Sequence, residues 1–147
     1  MVREVAGCDW GYDMADNVGT VAAIYEAFGR GDVPAILDKL ADDVQWEQGI
    51  RATDIPYYAP GVGKAHVVSF FENLAANLEL THFEPLAICD GGDIVAVPIR
   101  YAGRIIGGGE IGMEMECHVW RFDADGKVAA FNHVLDLAVQ EKAFAAR

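Results

Sequence analysis

Ile24-Tyr25-Glu26-Ala27-Phe28-Gly29-Arg30-Gly31-Asp32, followed shortly by Leu40-Ala41-Asp42-Asp43-Val44-Gln45-Trp46-Glu47, decides how this chain folds. Val18, Val21, Ile24, Tyr25 and Phe28 recur at helical spacing, which predicts a helix from about Asp16 to Gly29 with one face under apolar cover. Asp16 or Asn17 can supply its N-cap, and Gly29 and Gly31 tolerate the positive φ that ends it. Asp32 caps a second helix in which Pro34 sits early, where a missing N–H costs little. The product is a tight helix-turn-helix corner. Ile36, Leu37 and Leu40 form the second apolar stripe, and Asp42-Asp43 breaks it ahead of the alternating, strand-like Val44-Gln45-Trp46.

The second half reads as sheet. Phe83 to Ile88, Ile94 to Ile105, Ile111 to Asp123 and Val128 to Leu137 are strand-like runs, separated by Asp90-Gly91-Gly92-Asp93, Gly107-Gly108-Gly109 and Ala124-Asp125-Gly126. Three consecutive hairpins follow, and helices ahead of an antiparallel sheet make an α+β domain with the helices on one face. Gly107-Gly108-Gly109 lacks the strand-to-helix context of a phosphate loop and is read as a turn.

The 147 residues suit one domain and leave no room for a second. Arg3, Glu4 and Asp9 interrupt the N-terminus, so no secretory apolar core forms there, and no run reaches membrane-spanning length; a cytoplasmic protein is expected. Cys8, Cys89 and Cys117 have neither metal nor redox spacing and read as buried thiols. Eleven basic against twenty-three acidic residues give a net charge of −12, which repels nucleic acid and anionic membranes. His66 and His82 fall on a helix and at a strand entry with no partner indicated.

The run before Arg121 sets up a choice. Met113, Met115, Cys117 and Val119 point one way, and Glu114, Glu116, His118 and Trp120 the other. Periodicity alone puts the apolar row in the core, yet an exposed row of that kind is hard to explain on a monomer unless another surface covers it. In the last strand Phe131, His133 and Leu135 share a face.

The opening stretch, Gly61-Val62-Gly63-Lys64-Ala65-His66-Val67-Val68-Ser69-Phe70-Phe71, His118-Val119-Trp120-Arg121-Phe122 with Asp125-Gly126-Lys127-Val128, Phe131 to Asp136 and Leu137 to Phe144 together resemble the nuclear-transport-factor-2-like superfamily. The likeness is to its SnoaL-like branch, which includes polyketide cyclases, ketosteroid isomerases and limonene epoxide hydrolases. It runs from Asp16 to Phe144, making residues 1–15 an N-terminal extension and 16–147 one domain. It implies a cone-shaped barrel: three N-terminal helices packed on a strongly curved, mostly antiparallel mixed sheet around a ligand cavity. It also reverses the bland choice of faces. Glu114, Glu116 and His118 would line the cavity, while Met113, Met115, Cys117 and Val119 would lie on the outer face where such proteins commonly form homodimers. His133 falls where epoxide hydrolases and SnoaL-like cyclases carry a catalytic aspartate.

The departures matter as much. The isomerase tyrosine, general base and protonated aspartic acid correspond to Ile24, Gln48 and His118, and the epoxide hydrolase arginine and two aspartates to Ile99, Tyr101 and His133. Neither reaction transfers residue by residue. Three classes remain. The first is a cofactor-free enzyme moving a proton on a small, largely apolar carbonyl ligand. Here His133 is the base, His118 donates to the developing oxyanion with its pKa raised by Glu116, and Tyr25, Trp46, Gln48, Tyr101, Glu114, Trp120 and Phe131 bind the substrate. The second is a ligand-binding or dimeric scaffold without chemistry, walled by Trp46, Tyr57, Tyr58 and Trp120. The third is a metal site of His118, His133 and Glu114 or Glu116, for which no local ligand motif exists.

Overall fold

The computed structural model describes residues 16–147; the expected extension at 1–15, and Cys8 with it, lies outside the described residues. Helix α1 (Asn17–Gly29) starts where Asp16 accepts a hydrogen bond from the Gly19 N–H at 2.9 Å. Helix α2 (Val33–Leu37) starts the same way, from Asp32 to the Ala35 N–H at 3.1 Å. Strand β1 (Leu40–Trp46) follows directly. Leu40 is therefore the first strand residue rather than the end of the helical stripe, and Asp42-Asp43 lies inside the strand with both carboxylates in water.

One 3-10 turn (Pro56–Tyr58), strand β2 (Gly61–Val62) and helix α3 (Lys64–Asn77) lead to β3 (Leu78–Pro85), β4 (Cys89–Asp90), β5 (Ile94–Ile105), β6 (Glu110–Phe122), β7 (Val128–Val134) and α4 (Leu137–Ala145). β3 begins well before Phe83 because Leu78 leaves α3 in extended geometry and Leu78-Glu79-Leu80 already pairs with Ile105-Arg104-Gly103. The closing segment is a fourth helix, capped by Asp136. Its C-terminal turn packs on the β5–β6 hairpin: the Gly109 N–H donates to Ala143 O, and a Cβ on Gly108 would meet that oxygen at 2.7 Å.

The sheet order is β2-β1-β7-β6-β5-β3, with β4 beside β5. Among the described residues only β1 and β7 pair in parallel, so the sheet they form is mixed, mostly antiparallel and open rather than closed into a barrel. Its inner face carries Val95, Val97, Ile99 and Ile105, which meet Val21, Ile24 and Val67 of the helices in one apolar core. On β6 the choice of faces is decided. Glu116 and His118 are 8% and 6% exposed, whereas Met113 and Met115 are each 54% exposed. Cys89 and Cys117 are free thiols, half-buried rather than buried. His66 and His82 do have partners, the Ala59 carbonyl at 2.9 Å and Glu84 at 3.1 Å. Among the described residues no helix is long and apolar enough to cross a membrane.

Candidate active site

Adjacent strands bring the two histidines together. His118 on β6 stands opposite His133 on β7, and their rings meet edge to face at 4.6 Å. The Tyr25 oxygen accepts from the Trp120 indole N–H at 3.1 Å and lies 2.7 Å from His118 Nδ1. A phenol has one proton to give, and among the described residues Nδ1 is the acceptor in reach, so Tyr25 donates and Nδ1 is bare. The ring proton of His118 therefore sits on Nε2 and is donated to Glu116 Oε2. Burial pushes the His118 pKa below the usual imidazole range, against the upward pull of Glu116, so this ring is neutral. The expectation of a His118 raised by Glu116 and free to donate to a ligand is corrected on both counts: desolvation outweighs the carboxylate, and both ring nitrogens are occupied.

His133 is held differently. Its Nδ1 lies 2.7 Å from Glu47 Oε2, and its backbone N–H donates to Glu47 Oε1 at 2.7 Å. A carboxylate only accepts, so the proton is on Nδ1. Nε2 is left 3.8 Å from Glu116 Oε2. Burial draws the His133 pKa down, but the bond to Glu47 and the charges of Glu47 and Glu116 outweigh it, and the net shift is upward. Burial likewise pushes Glu116 up, and the His118 hydrogen bond with the two imidazoles reverses that, leaving it below the usual carboxylate range. Two hydrogen-bonded arms result, Tyr25–His118–Glu116 and His133–Glu47, which approach each other where Glu116 Oε2 lies 3.8 Å from His133 Nε2.

Glu47, absent from the sequence candidates, is completely buried. It is also the one non-glycine among the described residues with positive φ, +58°. That backbone turn ends the in-out alternation of β1 and swings Glu47 inward. The neighbouring Gln48 is correspondingly turned out, exposed, with its amide on the Gly61 carbonyl at 3.1 Å, so it does not reach the cavity. Glu114 shares the inner face with Tyr101, its neighbour across the strands, but is half-buried and outside the cavity wall. Tyr25, Trp46, Tyr101, Glu116, His118, Trp120, Phe131 and His133 do line it.

The cavity measures about 70 Å³; Tyr58 and Gln140 also line it, and the rest of its wall is apolar side chains of α1, α2, α3 and β3. A wider surface recess of about 300 Å³ adjoins it, sharing Phe28, Phe71 and Leu74 with its wall. Trp46 stacks on Phe131 at 4.4 Å, and its buried indole N–H has no acceptor among the described residues.

Glu116, His118 and His133 each place one ligand-type atom within 4.8 Å of the others, close enough to share a cation. Taking His118 through Nε2 would require moving its proton to Nδ1, which would leave the Tyr25 hydroxyl proton without an acceptor. The donor set fits these internal hydrogen bonds better than a metal.

The profile of the SnoaL-like domain matches residues 21–131, most of the chain. The chain belongs to the SnoaL-like family. Among solved structures, this SnoaL-like domain is similar to an NTF2-like protein of unknown function from Burkholderia pseudomallei, with 28% identity over 88% of this chain and 98% of that one and a TM-score of 0.71. An NTF2-like protein from Burkholderia thailandensis shares 27% identity over 89% and 98%, with a TM-score of 0.75. TerC, whose crystals contain polyporic acid, shares the fold at 19% identity over 89% and 99%, with a TM-score of 0.68. None of the curated proteins matches the chain.

Proposed function

We propose that this SnoaL-like domain is a cofactor-independent enzyme that takes a proton from the carbon next to a carbonyl in a small, largely apolar molecule, with His133 as the base. One observation carries it: buried Glu47 fixes the His133 proton on Nδ1 and leaves Nε2 bare on a ring that lines a largely apolar cavity. Proton loss to Nε2 leaves the C–H electron pair to form a carbon–carbon double bond, while the carbonyl π pair moves onto oxygen. Glu47 and Glu116 flank the imidazolium that forms and stabilise it. Returning the proton at another carbon isomerises the ligand; attack of the enolate carbon on a second carbonyl closes a ring. A base poised above the ordinary imidazole pKa suits neutral pH, and His118 serves by anchoring Glu116.

The test is hydrogen–deuterium exchange at the α-carbons of small ketones in D2O, followed by proton NMR. Wild type accelerates exchange and His133→Asn does not. Asparagine keeps a donor for Glu47, whereas alanine would strand a buried carboxylate and confuse lost chemistry with lost stability. Exchange unchanged in His133→Asn refutes the assignment.

The outer face fits a second copy of the chain. Met113, Met115, Cys117, Val119 and, across the strand pair, Val134 form an apolar strip on an otherwise charged protein, and we propose a cytoplasmic homodimer through it. Sedimentation checks this: the double variant Met113→Glu, Met115→Glu runs as a monomer where wild type runs as a dimer.

A further inference from the structure

The base leaves the ligand's oxygen unexplained, since His118 has no free N–H to offer it. The opposite wall holds candidates. Gln140 of α4 is buried among three tyrosines: its carbonyl accepts from Tyr57 at 2.7 Å, and its NH2 donates to Tyr58 at 2.8 Å and Tyr101 at 3.3 Å. The lengths agree with this sense of the amide, because 2.7 Å suits O–H···O and 3.3 Å is long for it. Tyr58 and Tyr101 therefore accept from Gln140, and among the described residues neither hydroxyl proton has an acceptor. Both rings line the cavity, and Tyr58 packs edge-on against the His133 ring at 5.2 Å. Two phenol protons without partners among the described residues thus belong to the wall of the base's own pocket, one of them on a ring packed against the base.

We infer that Gln140 orients the hydroxyls of Tyr58 and Tyr101 as a pair of neutral donors to the carbonyl oxygen of the ligand, which becomes the enolate oxygen when His133 removes the proton. This rests on the proton-transfer assignment above and narrows the substrate to a ketone or similarly acceptor-only carbonyl. A carboxylate is disfavoured because Glu47 and Glu116 already place negative charge beside the base. Burial raises Tyr101 to about 12 and holds Tyr58 well above the ordinary phenol range, so both remain proton donors throughout the working range. Tyr58 and Tyr101 would touch substrate; Gln140 is a positioning residue.

The probe is acetone labelled with ¹³C at the carbonyl, the smallest ketone, matched to a cavity of about 70 Å³. Infrared difference spectra read the bound carbonyl stretch, and exchange of the methyl protons in D2O reads the base. The bound band is expected at lower frequency in wild type than in hexane, and to move up in Tyr58→Phe, in Tyr101→Phe and furthest in the double variant. Each single change is expected to slow exchange by roughly 10²-fold. Gln140→Glu keeps the shape but turns the donor into an acceptor that draws both hydroxyl protons away, so its band should match the double variant's. A wild-type band no lower than in hexane overturns the inference without need of any variant, as does a Gln140→Glu band unchanged from wild type. Exchange with an unshifted band removes the donors and leaves the base. A shifted band without exchange removes the base and leaves the donors, and acetone that neither binds nor exchanges removes both.

Discussion

Glu47→Gln isolates the residue on which the His133 assignment turns. Glu47 is fully buried and accepts two bonds of 2.7 Å from the same residue, one from the backbone N–H and one from the ring. Glutamine can accept only one of them. With its oxygen on the backbone N–H, its NH2 faces Nδ1, which must give up its proton to accept; the neutral ring then carries its proton on Nε2, pointing at the substrate. A base blocked in this way loses about 10³- to 10⁴-fold in rate, the scale set by the same tautomer error in a serine protease triad. The charge is lost too. Wild-type exchange requires neutral His133 and so rises with pH through a midpoint above the ordinary 6.5, and the variant's residual activity has its midpoint displaced to lower pH. Stability follows with opposite sign. A raised pKa contributes stability that is fully present below pH 6.5 and is lost as pH rises through the folded value, so the variant's deficit, about 1–3 kcal/mol at pH 6, shrinks toward pH 9. Ketone exchange by NMR against pH, with melts at both ends of the range, measures all three. Exchange within threefold of wild type, or a midpoint that does not move, would show that Glu47 does not set the protonation of His133.

Tyr25→Phe strands both the Trp120 N–H and His118 Nδ1, and urea titration should record a loss of about 1–3 kcal/mol, far above that of an exposed tyrosine. Trp46→Phe trims the ring but also removes a buried donor that has no partner among the described residues, so its cost should stay below about 1.5 kcal/mol in the same assay. Glu116 has its pKa held down, which contributes stability present above pH 4.5 and lost as pH falls through the folded value; acid melts of Glu116→Gln should show that limb flattened.

What was legible in the sequence follows from periodicity and local chemistry. Asp16, Asp32 and Gly29 marked the first two helices almost to the residue, and β5 was read end to end, because caps and alternating apolar residues act over a few positions. The inward aim of Glu116 and His118 came instead from the family likeness; alternation alone favours the methionine row. Glu47 was hidden for a definite reason. Alternation from Val44 and Trp46 points inward again at Gln48, and only the left-handed turn at Glu47, which no local rule demands of a glutamate, exchanges the two. Tyr58 is legible as a pocket wall, but its pairing with Gln140 was obscured by distance, since their meeting depends on α4 folding back over a loop 82 residues away in sequence.

The placement of the polar groups is itself an argument for function. A cone selected for stability alone would close its wide interior with aliphatic side chains, as it does along Val95, Val97 and Ile105. Instead two carboxylates, two imidazoles and three phenols converge where α4, β6 and β7 meet the loop after β1, and each buried charge carries a desolvation cost that its partner only offsets. Glu47 adds left-handed backbone strain of about 1 kcal/mol or more to reach its histidine. Replacing such a cluster with packed hydrophobes is often stabilising, so its presence has to be explained by something the folded state does rather than by how it holds together. The hydrogen bonds point the same way. Every proton in the Tyr25–His118–Glu116 arm is committed internally, while the groups uncommitted among the described residues, His133 Nε2, the Tyr58 and Tyr101 protons and the Trp46 N–H, all belong to residues of the cavity wall. Structural polar clusters satisfy themselves; among the described residues this one leaves open a base nitrogen and two phenol protons, which the proposed carbonyl ligand would fill, and the Trp46 N–H, which it does not explain.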